Sequence, residues 1–223
     1  MKLLNIVFSL LFPPKCVLCR RILKDDELDL CHKCRANGPE CILHRKKLPF
    51  IDSWAAVWYY EKEARSSLLR YKFWGVRSYA KGYGRLLAMK LQKVHPESFD
   101  LLTWVPISRL RKFRRGYDQV ELLAQAVGQE LQLTPVALLK KIRHNPPQSG
   151  IVGEAQRRAN VLGAYQVIDP TVIAGKRILL LDDIITTGAT AGECARVLLT
   201  AGAKEVHCGA VAVARHQSNN KIR

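Results

Sequence analysis

The chain has 223 residues, 48% of them hydrophobic, and a formal net charge of +17 from 36 Lys+Arg against 19 Asp+Glu. That length can bury one substantial core with a small appendage, and without a long unbroken apolar run no membrane-spanning helix is expected. A small phosphorylated molecule needs few of these cations, so the surplus points to a polyanion such as nucleic acid, with a merely basic protein as the alternative.

Residues 1–12 (M-K-L-L-N-I-V-F-S-L-L-F) have the outline of a signal peptide, with Lys2 before a short apolar stretch. Pro13, Pro14 and Lys15 follow, and there is no small-residue cleavage site. The expectation is a short helix docked on the protein, with reversible membrane-surface association as the lesser alternative.

Seven cysteines are unevenly placed, five of them in the first 41 residues. Cys16 with Cys19 and Cys31 with Cys34 form two CxxC pairs. Each pair makes a tight knuckle, and two knuckles close a tetrahedral zinc site of four thiolates. Disulfides are the alternative, disfavoured in a chain with no secretion signal. Cys41 and His44 form a CxxH half-site with no second half and are expected to be structural. His32, inside the second knuckle, is a competing donor. Cys194 and Cys208 read as small core residues. The division expected is a zinc-binding segment over 1–48 and a larger domain over 49–223.

Residues 53–60 (S-W-A-A-V-W-Y-Y) read as a strand by aromatic content. Residues 62–85 then interleave rings with cations: Arg70, Tyr71, Lys72, Phe73, Trp74, Arg77, Tyr79, Lys81, Tyr83 and Arg85. Exposed, such rings would stack on bases while the cations follow phosphates. Buried, they are core residues of a helix with a charged outer face, and the sequence leaves both open.

Residues 100–106 (D-L-L-T-W-V-P) read as the first core strand, followed over 108–116 by a loop with five cations. Asp118 with Glu121 predicts a capping box that opens a helix through Val120, Leu123, Ala124, Val127 and Leu131. Residues 138–143 suggest a strand. Residues 144–160 form a long irregular stretch containing Pro146 and Pro147, a candidate lid whose far end carries Arg157, Arg158 and Asn160.

Residues 178–181 (I-L-L-L) are the apolar run of a strand buried on both faces. Asp182 and Asp183 follow, then Thr186, Thr187, Gly188, Ala189 and Thr190, and a helical pattern over 191–201 that Gly202 ends. Ligands of open α/β sheets bind beyond the carboxyl ends of the strands. A helix N-terminus and threonine hydroxyls favour a phosphate. Paired carboxylates accept from vicinal hydroxyls or hold a hydrated divalent ion. The ligand so described is a ribose 5-phosphate. Residues 206–214 read as the last strand, and 216–223 as a polar tail.

I-L-L-L-D-D-I-I-T-T-G-A-T closely resembles the phosphoribosyl pyrophosphate (PRPP) motif of type I phosphoribosyltransferases. The resemblance implies an α/β fold with a central, mostly parallel sheet flanked by helices, and a hood or lid. It implies Asp182 and Asp183 on the ribose hydroxyls, as the catalytic pair if the chain is an enzyme, and residues 186–190 around the 5-phosphate. It puts Mg²⁺ with PRPP, and the basic loop against pyrophosphate, with Arg109 and Lys112 first and Arg115 close behind.

L-F-P-P-K-C-V-L-C, L-C-H-K-C, Y-K-F-W-G, V-P-I-S-R-L-R-K-F-R-R-G-Y-D-Q, N-P-P-Q-S and R-R-A-N-V-L-G-A-Y together resemble the ComF family of competence-associated proteins, along nearly the whole chain. Many relatives carry a second zinc ribbon, of which only Cys41 and His44 remain here. The resemblance implies a cytoplasmic protein of natural transformation that handles incoming single-stranded DNA, with peripheral placement at the inner membrane face as a variant. Other DNA-uptake proteins are expected partners. Candidate nucleic-acid or lid residues are Arg70, Lys72, Arg77, Lys81, Arg114, Arg115, Arg157 and Arg158. Two functions stay open: a DNA-handling protein with a PRPP pocket, and a transferase moving ribose 5-phosphate from PRPP to an unidentified acceptor with no direct DNA role.

Overall fold

The computed structural model describes residues 13–42, 47–95, 97–143, 145 and 153–215. The expected N-terminal helix, His44, the loop over 146–152 and the C-terminal tail lie outside the described residues. In chain order the elements are α1 (His32–Asn37), β1 (Ser53–Tyr59), α2 (Lys62–Phe73), α3 (Tyr79–Val94), β2 (Leu101–Trp104), α4 (Arg109–Arg115), α5 (Gln119–Leu131), β3 (Leu139–Lys141), α6 (Glu154–Val161), β4 (Tyr165–Val167), β5 (Arg177–Ile185), α7 (Ala189–Thr200) and β6 (Glu205–Val213).

The main sheet is parallel throughout, in the order β1-β6-β5-β2. A second, two-stranded antiparallel ribbon joins β3 to β4. Ile178, Leu179, Leu180 and Leu181 of β5 are completely buried. Leu179 and Leu181 join one apolar cluster, with Leu68, Tyr71, Tyr83, Leu87 and Leu123 from α2, α3 and α5. Ile178 and Leu180 join the other, with Leu139, Tyr165, Cys194 and Leu198 from the ribbon and α7. The strand alternation thus builds both cores from one apolar run, each such side chain stabilising the fold by about 1.5–3 kcal/mol. Gly84 lets α3 and α5 meet closely, since a Cβ there would come within 2.5 Å of the Ala126 Cβ.

The cysteine segment shares this core. Cys16, Val17, Leu18 and Leu30 belong to the first cluster. Arg85 of α3 grips the buried Asp29 through Nε, at 2.8 Å, and through Nη2. Ser67 donates to the Val17 carbonyl and Arg70 to that of Leu18.

Two segments differ from the sequence expectation. The cationic stretch after β2 is the helix α4: Ser108 accepts from the Arg111 N–H at one end, and Gly116, at φ 76°, closes the other. Arginine and lysine are good helix formers, and these two boundary residues suffice. The irregular stretch expected to reach Asn160 is instead helical over Glu154–Val161. Gly153, at φ 93°, separates this run of helix formers from the prolines upstream.

Candidate functional site

β2 ends at Trp104, whose register partner is Leu181, and Val105 N–H makes the last bond to the Leu181 carbonyl. β5 continues for four residues past that point, still paired to β6. Asp182 and Asp183 therefore lie inside the strand, where its other neighbour has departed. That departure opens the crevice at the carboxyl end of the sheet.

Adjacent strand residues leave on opposite faces, and the two carboxylates meet different surroundings. Asp183 is buried on the α2/α5 side. Lys72 Nζ is 2.9 Å from its Oδ1, and Gln119 Nε2 donates to its Oδ2 at 2.7 Å. Asp182 leaves on the ribbon side, its Oδ1 accepting from the Asp183 N–H at 2.8 Å. Burial, reinforced by the neighbouring Asp183 charge, pushes the Asp182 carboxyl up to about 8.

Lys141 of β3 stands on the same side, its Nζ 3.3 Å from the Tyr165 hydroxyl and 5.0 Å from that ring's centre. Burial first, then the Arg111 charge, brings its ammonium down to about 8. Burial raises the Cys194 and Cys208 thiols, with Asp182 adding to the effect, so both cysteines stay neutral core residues.

Beyond the acids the chain turns at Gly188, in the left-handed region at φ 83°. A Cβ there would fall 2.5 Å from Leu48 Cδ2, so glycine is needed for both conformation and space. Thr187 Oγ1 accepts from the Ala189 N–H at 3.3 Å, and the first intrahelical bond of α7 runs from Gly192 N–H to the Gly188 carbonyl at 2.8 Å. The N–H groups of Thr190 and Ala191 thus have no partner within the helix. Asp182, Thr186, Gly188, Ala189 and Thr190 line one shared concavity. An anionic group seated there would meet backbone donors and the positive end of the α7 dipole.

The expected cations divide by placement. Arg109 is exposed on α4, and Lys112 is paired to Glu121 at 2.7 Å. Arg111 instead turns toward the ribbon, donating to the Asn145 carbonyl at 3.0 Å. Sequence reasoning did not single it out within the basic loop, because a loop carries no helical facing. Asp118 caps α5 by accepting from Val120 and Glu121 N–H, but Glu121 spends its carboxylate on Lys112, so the capping box is half formed. Arg157 is half-buried and Arg158 exposed on α6.

The polyanion role expected of Arg70 does not fit its placement, and Lys72 is engaged elsewhere as the chain stands. Arg70 is 9% exposed and turned onto the cysteine segment, and Lys72 is turned onto Asp183. Tyr71, Tyr79 and Tyr83 are core residues, so stacking is closed to them. Phe73, Trp74 and Phe113 are 65%, 70% and 87% exposed. Arg115 lies 5.3 Å from the Phe73 ring centre, Arg77 lies 4.5 Å from that of Tyr117, and Arg77, Lys81 and Arg114 are exposed. Phe113 was missed because a loop reading gave no reason to weigh its facing.

The Sγ atoms of Cys16, Cys19, Cys31 and Cys34 all lie within 4.8 Å of one another, and Cys19 is 3.7 Å from Cys31. Metal–sulfur bonds of about 2.3 Å in a tetrahedron require sulfurs about 3.8 Å apart, so this donor set fits a metal ion such as zinc. Glu27 shapes the turn between the knuckles, accepting from the N–H of Lys24 at 2.9 Å and of His32 at 2.7 Å. His32 faces Asp26 at 2.8 Å, and Cys41 is buried in the second apolar cluster. Neither belongs to the metal-competent group found among the described residues.

Residues 120–223 match the family model described as phosphoribosyl transferase domain. The chain is 29% identical over 223 residues to Competence protein ComFC of Streptococcus pneumoniae (strain ATCC BAA-255 / R6), covering 86% of this chain and 96% of that protein. It is 26% identical over 167 residues to Competence protein F of Haemophilus influenzae, covering 72% of each. DNA utilization protein YhgH of Escherichia coli O157:H7 is 31% identical over 108 residues, 48% of this chain and 46% of that protein. With a parallel sheet that ends in the acid-pair strand and its phosphate-type turn, the chain has a type I phosphoribosyltransferase-like fold, and along most of its length it is similar to competence proteins.

Proposed function

We propose that this protein serves DNA uptake, binding PRPP or a related ribose 5-phosphate compound in the β5–α7 crevice and single-stranded DNA on the adjoining basic surface. The departure of β2 at Trp104, which leaves Asp182 beside the Thr186–Thr190 turn, carries the reading of the crevice. The phosphate would sit on the turn and the α7 N-terminus, and the diol on Asp182 and Asp183. Mg²⁺ would neutralise part of the diphosphate charge, with Arg109 and Arg111 of α4 as candidate cations. Titration with PRPP and Mg²⁺ tests this, and a chain that binds neither PRPP nor ribose 5-phosphate sinks it.

Three exposed rings, Phe73, Trp74 and Phe113, among Arg77, Arg114 and Arg115 support the strand-binding reading, as does the net charge of +17. The names of the relatives, competence and DNA utilization proteins, point the same way. In this reading the four cysteines hold zinc and fix the segment that packs on α2 and α3. A four-thiolate site suits a reducing compartment, so the cytoplasm is the expected location.

The transferase reading draws on Arg111 and Lys141, two cations on the Asp182 side of β5 that could take up the charge of a departing pyrophosphate. Pyrophosphate release in the presence of candidate acceptors distinguishes a transferase from a ligand-binding protein.

A further inference from the structure

A ribose hydroxyl that reaches Asp183 meets a carboxylate already in use. The Asp183 side chain is 7% exposed and both of its oxygens are engaged. Gln119 is fixed at several points: its carbonyl accepts from the Tyr71 hydroxyl at 2.6 Å, its Oε1 accepts from Arg115, and Asp118 beside it caps α5. Lys72 is the more adaptable partner. Its side chain is 19% exposed, flexible, and held to Asp183 at 2.9 Å from the last turn of α2. A diol that takes Asp183 Oδ1 competes there with the Lys72 ammonium.

The displaced ammonium has a definite neighbourhood. The residues that follow Lys72 are Phe73 and Trp74, the exposed rings that end α2. Arg115, which holds Gln119, also lies against Phe73. Asp183, Lys72, Phe73, Arg115 and Gln119 are thus linked, by these contacts and by the Lys72–Phe73 peptide bond, between the crevice and the aromatic surface.

We propose that Lys72 is a plug on Asp183 whose displacement by a ribose diol frees its charge for strand binding beside Phe73 and Trp74, so that the ribose phosphate is a positive effector of single-stranded DNA binding. The inference rests on both sites of the proposed function. Its sign sets it apart from plain electrostatics: an anion bound next to a polyanion repels it, whereas release of Lys72 favours it. By linkage, the strand must tighten ribose-phosphate binding by the same factor.

The test is a fluorescence-anisotropy titration of a labelled oligothymidylate with and without saturating ribose 5-phosphate, without added divalent ions. Calorimetry establishes separately that the wild-type chain binds ribose 5-phosphate. The expected result is oligonucleotide binding tightened about 5-fold or more in the wild-type chain, the lower end of ordinary coupling. Lys72→Met is expected to bring the ratio to about 1, and Lys72→Arg to retain the tightening. Should Lys72→Met fail to fold, Lys72→Gln, whose amide still donates to Asp183, carries the same expectation. Unchanged or weaker oligonucleotide binding in the wild-type chain, or tightening that survives loss of the Lys72 charge, overturns the plug alone. A wild-type chain that binds neither ribose 5-phosphate nor the oligonucleotide overturns the proposed function, and this inference with it.

Discussion

Trp104 pairs with Leu181, and one residue later β5 carries Asp182 with no strand paired to it on the β2 side among the described residues. The candidate site follows from that offset. A β2 longer by two residues would cover both carboxylates.

The protonation of Asp182 makes stability depend on pH. Its folded carboxyl titrates at about 8, above its ordinary value of 3.8. The folded state therefore holds more protons than the unfolded state between those values. Its contribution to stability is fully present below pH 4 and is lost as pH rises toward 8. Urea unfolding of Asp182→Asn should show a shallower decline over this window than the wild-type chain, and parallel declines would contradict the assignment.

The cysteine site is expected to be structural. Cys31→Ser should lose most bound zinc and lower the melting temperature, because Val17 and Leu18 pack in the main core. Elemental analysis that finds full zinc in the variant would remove Cys31 from the ligand set.

Strand binding should be electrostatic with added stacking. The logarithm of affinity should fall linearly with that of salt, with a slope of roughly −0.7 per phosphate neutralised. Trp74→Ala and Phe113→Ala should each weaken binding by about 1–3 kcal/mol. Tyr71→Phe should leave it unchanged and lower stability by about 1 kcal/mol, through loss of the bond to the Gln119 carbonyl. Anisotropy at two salt concentrations and a denaturant titration separate these effects.

Local patterns made much of this legible. The β5 apolar run, the acid pair, the threonine turn and the two CxxC pairs are each complete within a short window, so residue types and spacing sufficed. The partners of Asp183 were not legible. Lys72 and Gln119 come from helices distant in sequence, and their side chains are indistinguishable there from other surface residues. The aromatic stretch after β1 posed the same difficulty: only packing separates buried Tyr71 from exposed Phe73 and Trp74. Reading α4 as a loop likewise concealed that Arg111 and Lys112 face different neighbours.

Calorimetric titration of PRPP with Mg²⁺ into the wild-type chain and into Asp182→Ala/Asp183→Ala, each verified as folded by circular dichroism, tests the account most directly. The account predicts measurable binding to the wild-type chain and none to the double variant. Equal affinity for both would show that the β5 carboxylates do not hold the ligand, and would contradict it.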